Sequence, residues 1–344
     1  MLVKQAKSIA EEWVEKESGN ISNFFGAFFH GSINWLSESA VFPENSDVDI
    51  MVVIENDNPQ KIGKFRYKNI LLEVSYISRE KLQSPSQVLK KYHLAGSFKY
   101  PSIILDPSGE LTRVQEKVAD KFNEKYWVYK RCEHVKNKIN NRYQFEEKNS
   151  FPEQVFSWVF PAGLTTHLLL TAGLKNPTVR RRFLAVKKLL KKYNYLDFYE
   201  ELLGLLRVHR LNQEDVKKHL NKLAEVFDLA KEVKNPPVIY ASDISDTART
   251  ISIGGSREMI KNDNYREAVF WIIVTYARCL KILNYADSNE EKNIADERLR
   301  DMLNDLGIKT SSDLKKARKK IKKILPEVWK MAEKIINKNP EIKN

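Results

Sequence analysis

Two apolar runs in the first quarter of the chain carry acids where a buried strand should hold none. Ile50-Met51-Val52-Val53-Ile54 runs on without a polar break, as a strand buried on both faces does, and Asp47 and Asp49 stand at its mouth. Residues two apart on a strand share a face, so both Asp side chains point the same way and repel each other unless a cation lies between them. A second run, Ile70 to Ile77, encloses Glu73 among apolar neighbours. A buried carboxylate is costly without a partner, and a shared metal ion would be one. The alternative is an ion pair with Lys64 or Arg66 on the adjacent strand.

Strand signals are confined to the region before residue 110. Leu2 to Glu17 has the spacing of an amphipathic helix, Ile21 to His30 reads as a strand, and Asn56-Asp57-Asn58-Pro59 reads as a turn. Lys61 to Tyr67 and Ile70 to Ile77 form an expected antiparallel pair across Lys68-Asn69. A helix is expected over Ser78 to Leu94 and a short strand over Ser102 to Leu105. Every later segment, starting with Glu110 to Lys148, has apolar residues at helical spacing, with breaks at Pro152, Asn176-Pro177, Pro236-Pro237, Gly254-Gly255 and Gly307. The expected fold is α+β: a small mixed sheet in residues 1–115, a helical bundle in 116–235, and a further helical region in 236–344.

Charge follows the same division. Residues 1–110 hold 12 Lys/Arg against 14 Asp/Glu, whereas the rest hold 46 against 31, so the net charge of +13 belongs to the helical part. Such a surface attracts nucleic acid or nucleotide phosphates, although lysine-rich helix faces are often simply solvated. Cys132 and Cys279 lie far apart, which gives neither a disulfide framework nor a metal spacing. The charged N-terminus is not that of a signal peptide, and no window is expected to span a membrane. A reducing cytoplasm is the expected compartment.

His30-Gly31-Ser32 closes the first expected strand. Glycine tolerates positive φ and leaves room for backbone N–H groups and the Ser32 hydroxyl to approach a phosphate. Clustered carboxylates at Asp47, Asp49 and Glu73 can hold Mg²⁺, with two ions expected, bridging the oxygens of a nucleoside triphosphate. The natural reaction is nucleotidyl transfer. A Gly-Ser pair alone says little: Gly255-Ser256 has no Asp-x-Asp strand after it. His93, His134, His167, His209 and His219 show no zinc-ligand spacing, and His30 reads as a packing or capping residue. Arg180-Arg181-Arg182 is a candidate for phosphate contact, with a surface role as the alternative.

The order Gly31-Ser32, Asp47-Val48-Asp49, then Glu73 resembles the signature of the DNA polymerase β-like nucleotidyltransferase superfamily. The stretch Ile33 to Ser46 departs from it, being somewhat long and without the usual glycine-arginine character. Within the superfamily the chain looks most like antibiotic nucleotidyltransferases of the kanamycin type, on the strength of Ile103-Ile104-Leu105-Asp106-Pro107-Ser108-Gly109, the apolar helix around Val155 to Leu170, and Lys175-Asn176-Pro177-Thr178-Val179. The resemblance covers roughly residues 20 to 200. It implies a nucleotidyltransferase domain of mixed sheet with helices on one side, followed by a helical, substrate-binding domain in 116–235. Glu133 is the nearest match to the family's general base, and Lys136 or Lys138 follows as a nucleotide contact. The implied activity moves an NMP, AMP from ATP first, onto a hydroxyl of a small antibiotic-like molecule. RNA or a protein side chain is the alternative acceptor, and a noncatalytic binding protein is the alternative of another class. RNA at the basic C-terminal region and a second copy of the chain are further expected partners.

Overall fold

A computed structural model describes residues 1–55, 61–141 and 149–344. The expected turn at 56–59 and the end of the expected Glu110–Lys148 helix, 142–148, lie outside these residues. The fold is α+β and forms two compact units. One comprises Met1–His134, Leu174–Asn176 and Asn339–Asn344, the other Val135–Gly173 and Pro177–Lys338.

The first unit is built on a five-stranded mixed sheet of order β3-β4-β2-β1-β5, made of β1 (Phe24–His30), β2 (Val48–Ile54), β3 (Gly63–Tyr67), β4 (Ile70–Ser78) and β5 (Ile103–Leu105). β2 and β4 run parallel, and the other pairs are antiparallel. The β3–β4 hairpin turns at Lys68-Asn69 as its sequence requires, with Lys68 at φ 49°. Alternation sorts the strand residues to two faces. Phe29, Ile50, Val52, Leu72 and Val74 pack with α1 (Val3–Glu17), whose Val3, Ala6, Ala10, Trp13 and Val14 are buried. Phe28, Val53 and Ile77 pack on the other face with residues of α2 (Pro85–Lys90), α3 (Tyr92–Ala95) and α4 (Glu110–Lys121).

Several expected helices are divided. Ser78–Leu94 is a 3₁₀ turn followed by α2 and α3, because Pro85 starts a new helix rather than continuing one. The segment from Glu110 breaks between α4 and α5 (Lys125–Asn141), where Lys125 N–H donates to the Lys343 carbonyl at 2.7 Å and Lys343 N–H donates to that of Asn123 at 2.9 Å. The first unit therefore runs past the expected boundary at residue 115 to His134, since Leu111, Val114 and Val118 of α4 belong to the sheet's core.

The second unit is helical. Its α6 (Phe151–Ala172) starts with a capping box between Ser150 and Glu153. The stretch after the expected break at Asn176-Pro177 opens with two helices, α7 (Arg182–Lys192) and α8 (Asp197–Gly204), separated around Asn194 at φ 62°. α9 (Gln213–Ala230), α10 (Asp246–Arg249), α11 (Gly255–Lys261), α12 (Tyr265–Leu283), α13 (Asn289–Asp305) and α14 (Ser311–Lys338) complete it. No division falls near residue 235, because α9 packs on α12 and α13. Gly254-Gly255 is not the expected break: a π-turn over Thr250–Gly254 runs straight into α11. Arg180 accounts for the glycine, for its guanidinium fills the space of a Gly255 Cβ and donates to the Ile251 carbonyl at 2.8 Å.

Contrary to the sequence expectation, one helix among the described residues, α6, is long and apolar enough to cross a membrane. Its apolar window is 83% buried, with α7, α12 and α14 packed against it, as befits the central helix of a bundle.

Candidate metal and phosphate site

Strand register assembles the site. Across the sheet, Lys64 of β3 pairs with Glu73 of β4, Glu73 with Asp49 of β2, and Asp49 with His30 of β1. One transverse row therefore reads Lys64, Glu73, Asp49, His30. By alternation it lies on the face that carries Phe28, Val53 and Ile77. Asp47 sits one residue before β2, and carboxylate oxygens of Asp47, Asp49 and Glu73 all lie within 4.8 Å of one another. Among the described residues this is the one cluster of three or more acidic, His or Cys groups able to hold a metal ion.

The Gly-Ser turn lies against that cluster. Directly after β1, Gly31 begins a 3₁₀ turn through Trp35, held by the Asn34 amide donating to the Phe29 carbonyl at 2.7 Å. Gly31 has φ 66°, and a Cβ there would overlap the Asp49 carboxylate. Glycine is thus required twice, by backbone conformation and by the acid beneath it. Half-buried Ser32 follows in the same turn. His30 forms a 2.6 Å hydrogen bond through Nδ1 with Ser97 Oγ, and burial pushes its imidazole down to about 4, with Glu73 opposing. That supports the packing role expected for it.

Lysines balance part of the acidic charge. Lys64 pairs with both Asp47 and Glu73, and Lys61 pairs with Glu73. The Lys64–Glu73 pair is the ion pair considered from sequence; Lys61, expected as the first residue of that strand, instead precedes β3 and pairs with Glu73 from outside the strand register. Burial pushes the Glu73 carboxyl up, but Lys64 and Lys61 together outweigh it and hold it at about 2. Burial raises Asp47, with Lys64 lowering it and Glu73 raising it. Asp49 is raised well above the usual carboxylate value, by burial first and then by Asp47 and Glu73.

Three carboxylates suit a hard divalent cation. Octahedral ligands about 2.1 Å from Mg²⁺ stand about 3–4 Å apart, close to the spacing here. Binding such an ion requires the Lys64 ammonium to leave its place between Asp47 and Glu73.

The remaining candidates fall elsewhere. Glu133 is on the part of α5 that belongs to the first unit, half exposed, with Lys130 at 2.9 Å. Its neighbour His134 packs its ring against Tyr92 and His93, at 5.5 and 5.6 Å between centroids. Lys136 belongs to the second unit, with its ammonium 4.6 Å from the Trp329 ring centroid. Arg180 and Arg182 are engaged within the second unit, Arg182 being buried with Nε donating to the Val179 carbonyl at 2.6 Å and its guanidinium over Phe270. No family model matches the chain, and no curated protein matches it in sequence.

Proposed function

We propose that the first unit is a Mg²⁺-dependent nucleotidyltransferase that moves an NMP, AMP from ATP first, onto an acceptor hydroxyl. One observation carries the reading: three carboxylates on β2, its entrance and β4 converge beside a glycine turn whose missing side chain leaves room for one of them. Asp47, Asp49 and Glu73 would hold the metal, which supplies charge neutralisation for the triphosphate and the leaving pyrophosphate. Gly31 and Ser32 would receive phosphate oxygens through backbone N–H groups and the hydroxyl. In the transfer the acceptor oxygen bonds to the α-phosphorus, the bond from that phosphorus to the bridging oxygen breaks, and pyrophosphate leaves. Glu133 is the proposed base for the acceptor proton.

The first acceptor class is a small antibiotic-like molecule. A second reading, RNA, is favoured by the lysine-rich run of α14 between Asp313 and Glu327, which holds six lysines and no acid. Incubation with each labelled NTP, Mg²⁺, an antibiotic panel and total RNA separates the two. Label is expected in one acceptor fraction and is lost in Asp47→Asn. Glu133→Gln should slow transfer by about 10²–10⁴-fold at unchanged thermal stability. Absence of label from every fraction, together with absence of NTP binding, rejects the proposal.

A further inference from the structure

Outside the acidic site, two arginines near Gly307 form no ion pair among the described residues. The turn between α13 and α14 passes through Gly307 at φ 71°. Arg210 Nη1 and Arg207 Nη2 come to 2.7 and 3.0 Å from the point a Cβ on Gly307 would occupy. Two guanidiniums are therefore held within about 6 Å of each other, where like charges repel unless an anion lies between them. Arg207 is held there by donating from Nε to the Leu306 carbonyl at 2.8 Å, on a left-handed backbone with φ 61° that non-glycine residues seldom adopt. Neither arginine forms an ion pair among the described residues.

The positive surface continues along α14. Lys316, Lys319, Lys320 and Lys323 follow at helical three and four spacing on its exposed side. Lys319, Lys320 and Lys323 have no acidic partner among the described residues, and Lys320 reaches toward the Gly204 carbonyl at 3.5 Å, next to the segment that carries Arg207. The opposite side of the helix is the apolar stripe of Leu314, Ala317, Ile321 and Leu325, buried in the unit. The lysines are therefore not needed for packing.

We infer that the arginine pair at Gly307 and the lysine side of α14 form one binding surface for the phosphate backbone of RNA. A forked pair of guanidiniums fits a single phosphate, while a row of lysines extending several turns beyond it fits a chain of them. The commitment to RNA rests on the RNA-acceptor reading under Proposed function, and DNA is an outcome of the test.

The test is fluorescence anisotropy of the full chain with a labelled 25-nucleotide RNA, without NTP or Mg²⁺. Matched DNA and phosphatidylserine vesicles are the comparison arms. The expected Kd is about 1–10 µM at 100 mM NaCl, weakening about 100-fold between 50 and 200 mM as four to six contacts predict. The triple variant Arg210→Gln, Lys319→Gln, Lys323→Gln alters exposed side chains only. It should keep the wild-type melting profile, bind at least tenfold more weakly, and show a salt slope shallower by about 2. Salt-insensitive binding, an unaffected triple variant, or tighter binding to DNA or vesicles than to RNA overturns the inference. Because the assay omits nucleotide, intact RNA binding with no transfer condemns the catalytic reading instead.

Discussion

Replacing Asp49 by Asn should stabilise the metal-free protein while abolishing its response to metal. The carboxylate of Asp49 faces those of Asp47 and Glu73 within 4.8 Å. Each such pair repels by about 3.5 kcal/mol at an effective dielectric of about 20. Lys64, paired with Asp47 and Glu73, and Lys61, paired with Glu73, offset part of this. A net gain of about 2 kcal/mol is expected from Asp49→Asn, or about 4–8 °C in the melting temperature of the first unit. The sign with pH follows from the raised Asp49 carboxyl. Its penalty is absent below the ordinary value of 3.8 and grows as pH climbs toward the folded value, so the variant's advantage widens from pH 5 to pH 7.5. Differential scanning calorimetry in EDTA at both pH values, then with Mg²⁺ or Mn²⁺, measures it. Metal at about 100 times its Kd should add about 2.7 kcal/mol to the wild type and far less to the variant. A variant that melts below wild type in EDTA, or gains equally from metal, would refute the reasoning.

Lys64→Met removes one of the two ammonium groups that hold Glu73 at about 2. The stability linked to that depressed carboxyl is present above 4.5 and lost as pH falls toward 2, so the variant should lose on the order of 1–2 kcal/mol at neutral pH and unfold at higher pH in acid titrations followed by circular dichroism. Gly31→Ala forces a left-handed backbone on a residue whose Cβ meets Asp49, and should cost about 2 kcal/mol or more in urea denaturation. Gly255→Ala must expel the Arg180 guanidinium from its bond to Ile251; a loss of about 1–3 kcal/mol confined to the second unit's transition is expected, and an unchanged melt would contradict the packing described.

The sheet was legible where alternation and register are local. The β3–β4 hairpin and β2 follow from apolar period and turn residues, and Glu73 stood out because an acid in an apolar run demands a partner. What joined Asp49 to Glu73 was a parallel pairing between strands separated by β3, and no local pattern specifies such a register. His30 entered the transverse row through the antiparallel pairing of β1 with β2, across the long connection from Gly31 to Asp47. The helical part was legible as helix but not in its subdivisions. The break between α4 and α5 coincides with contacts to Lys343, over 200 residues away in sequence, and the continuity through Gly255 depends on Arg180. Long-range partners override local propensity at both places.

The closing segment Asn339–Asn344 has a consequence for biosynthesis. It belongs to the first unit, bonding to Asn123 and Lys125 by main-chain contacts, although the helices of the second unit are made in between. An emerging polypeptide can fold its sheet early, but that unit gains the contacts of Asn339–Asn344 only after the helices between have been made. Completion of the first unit thereby waits on synthesis of the second.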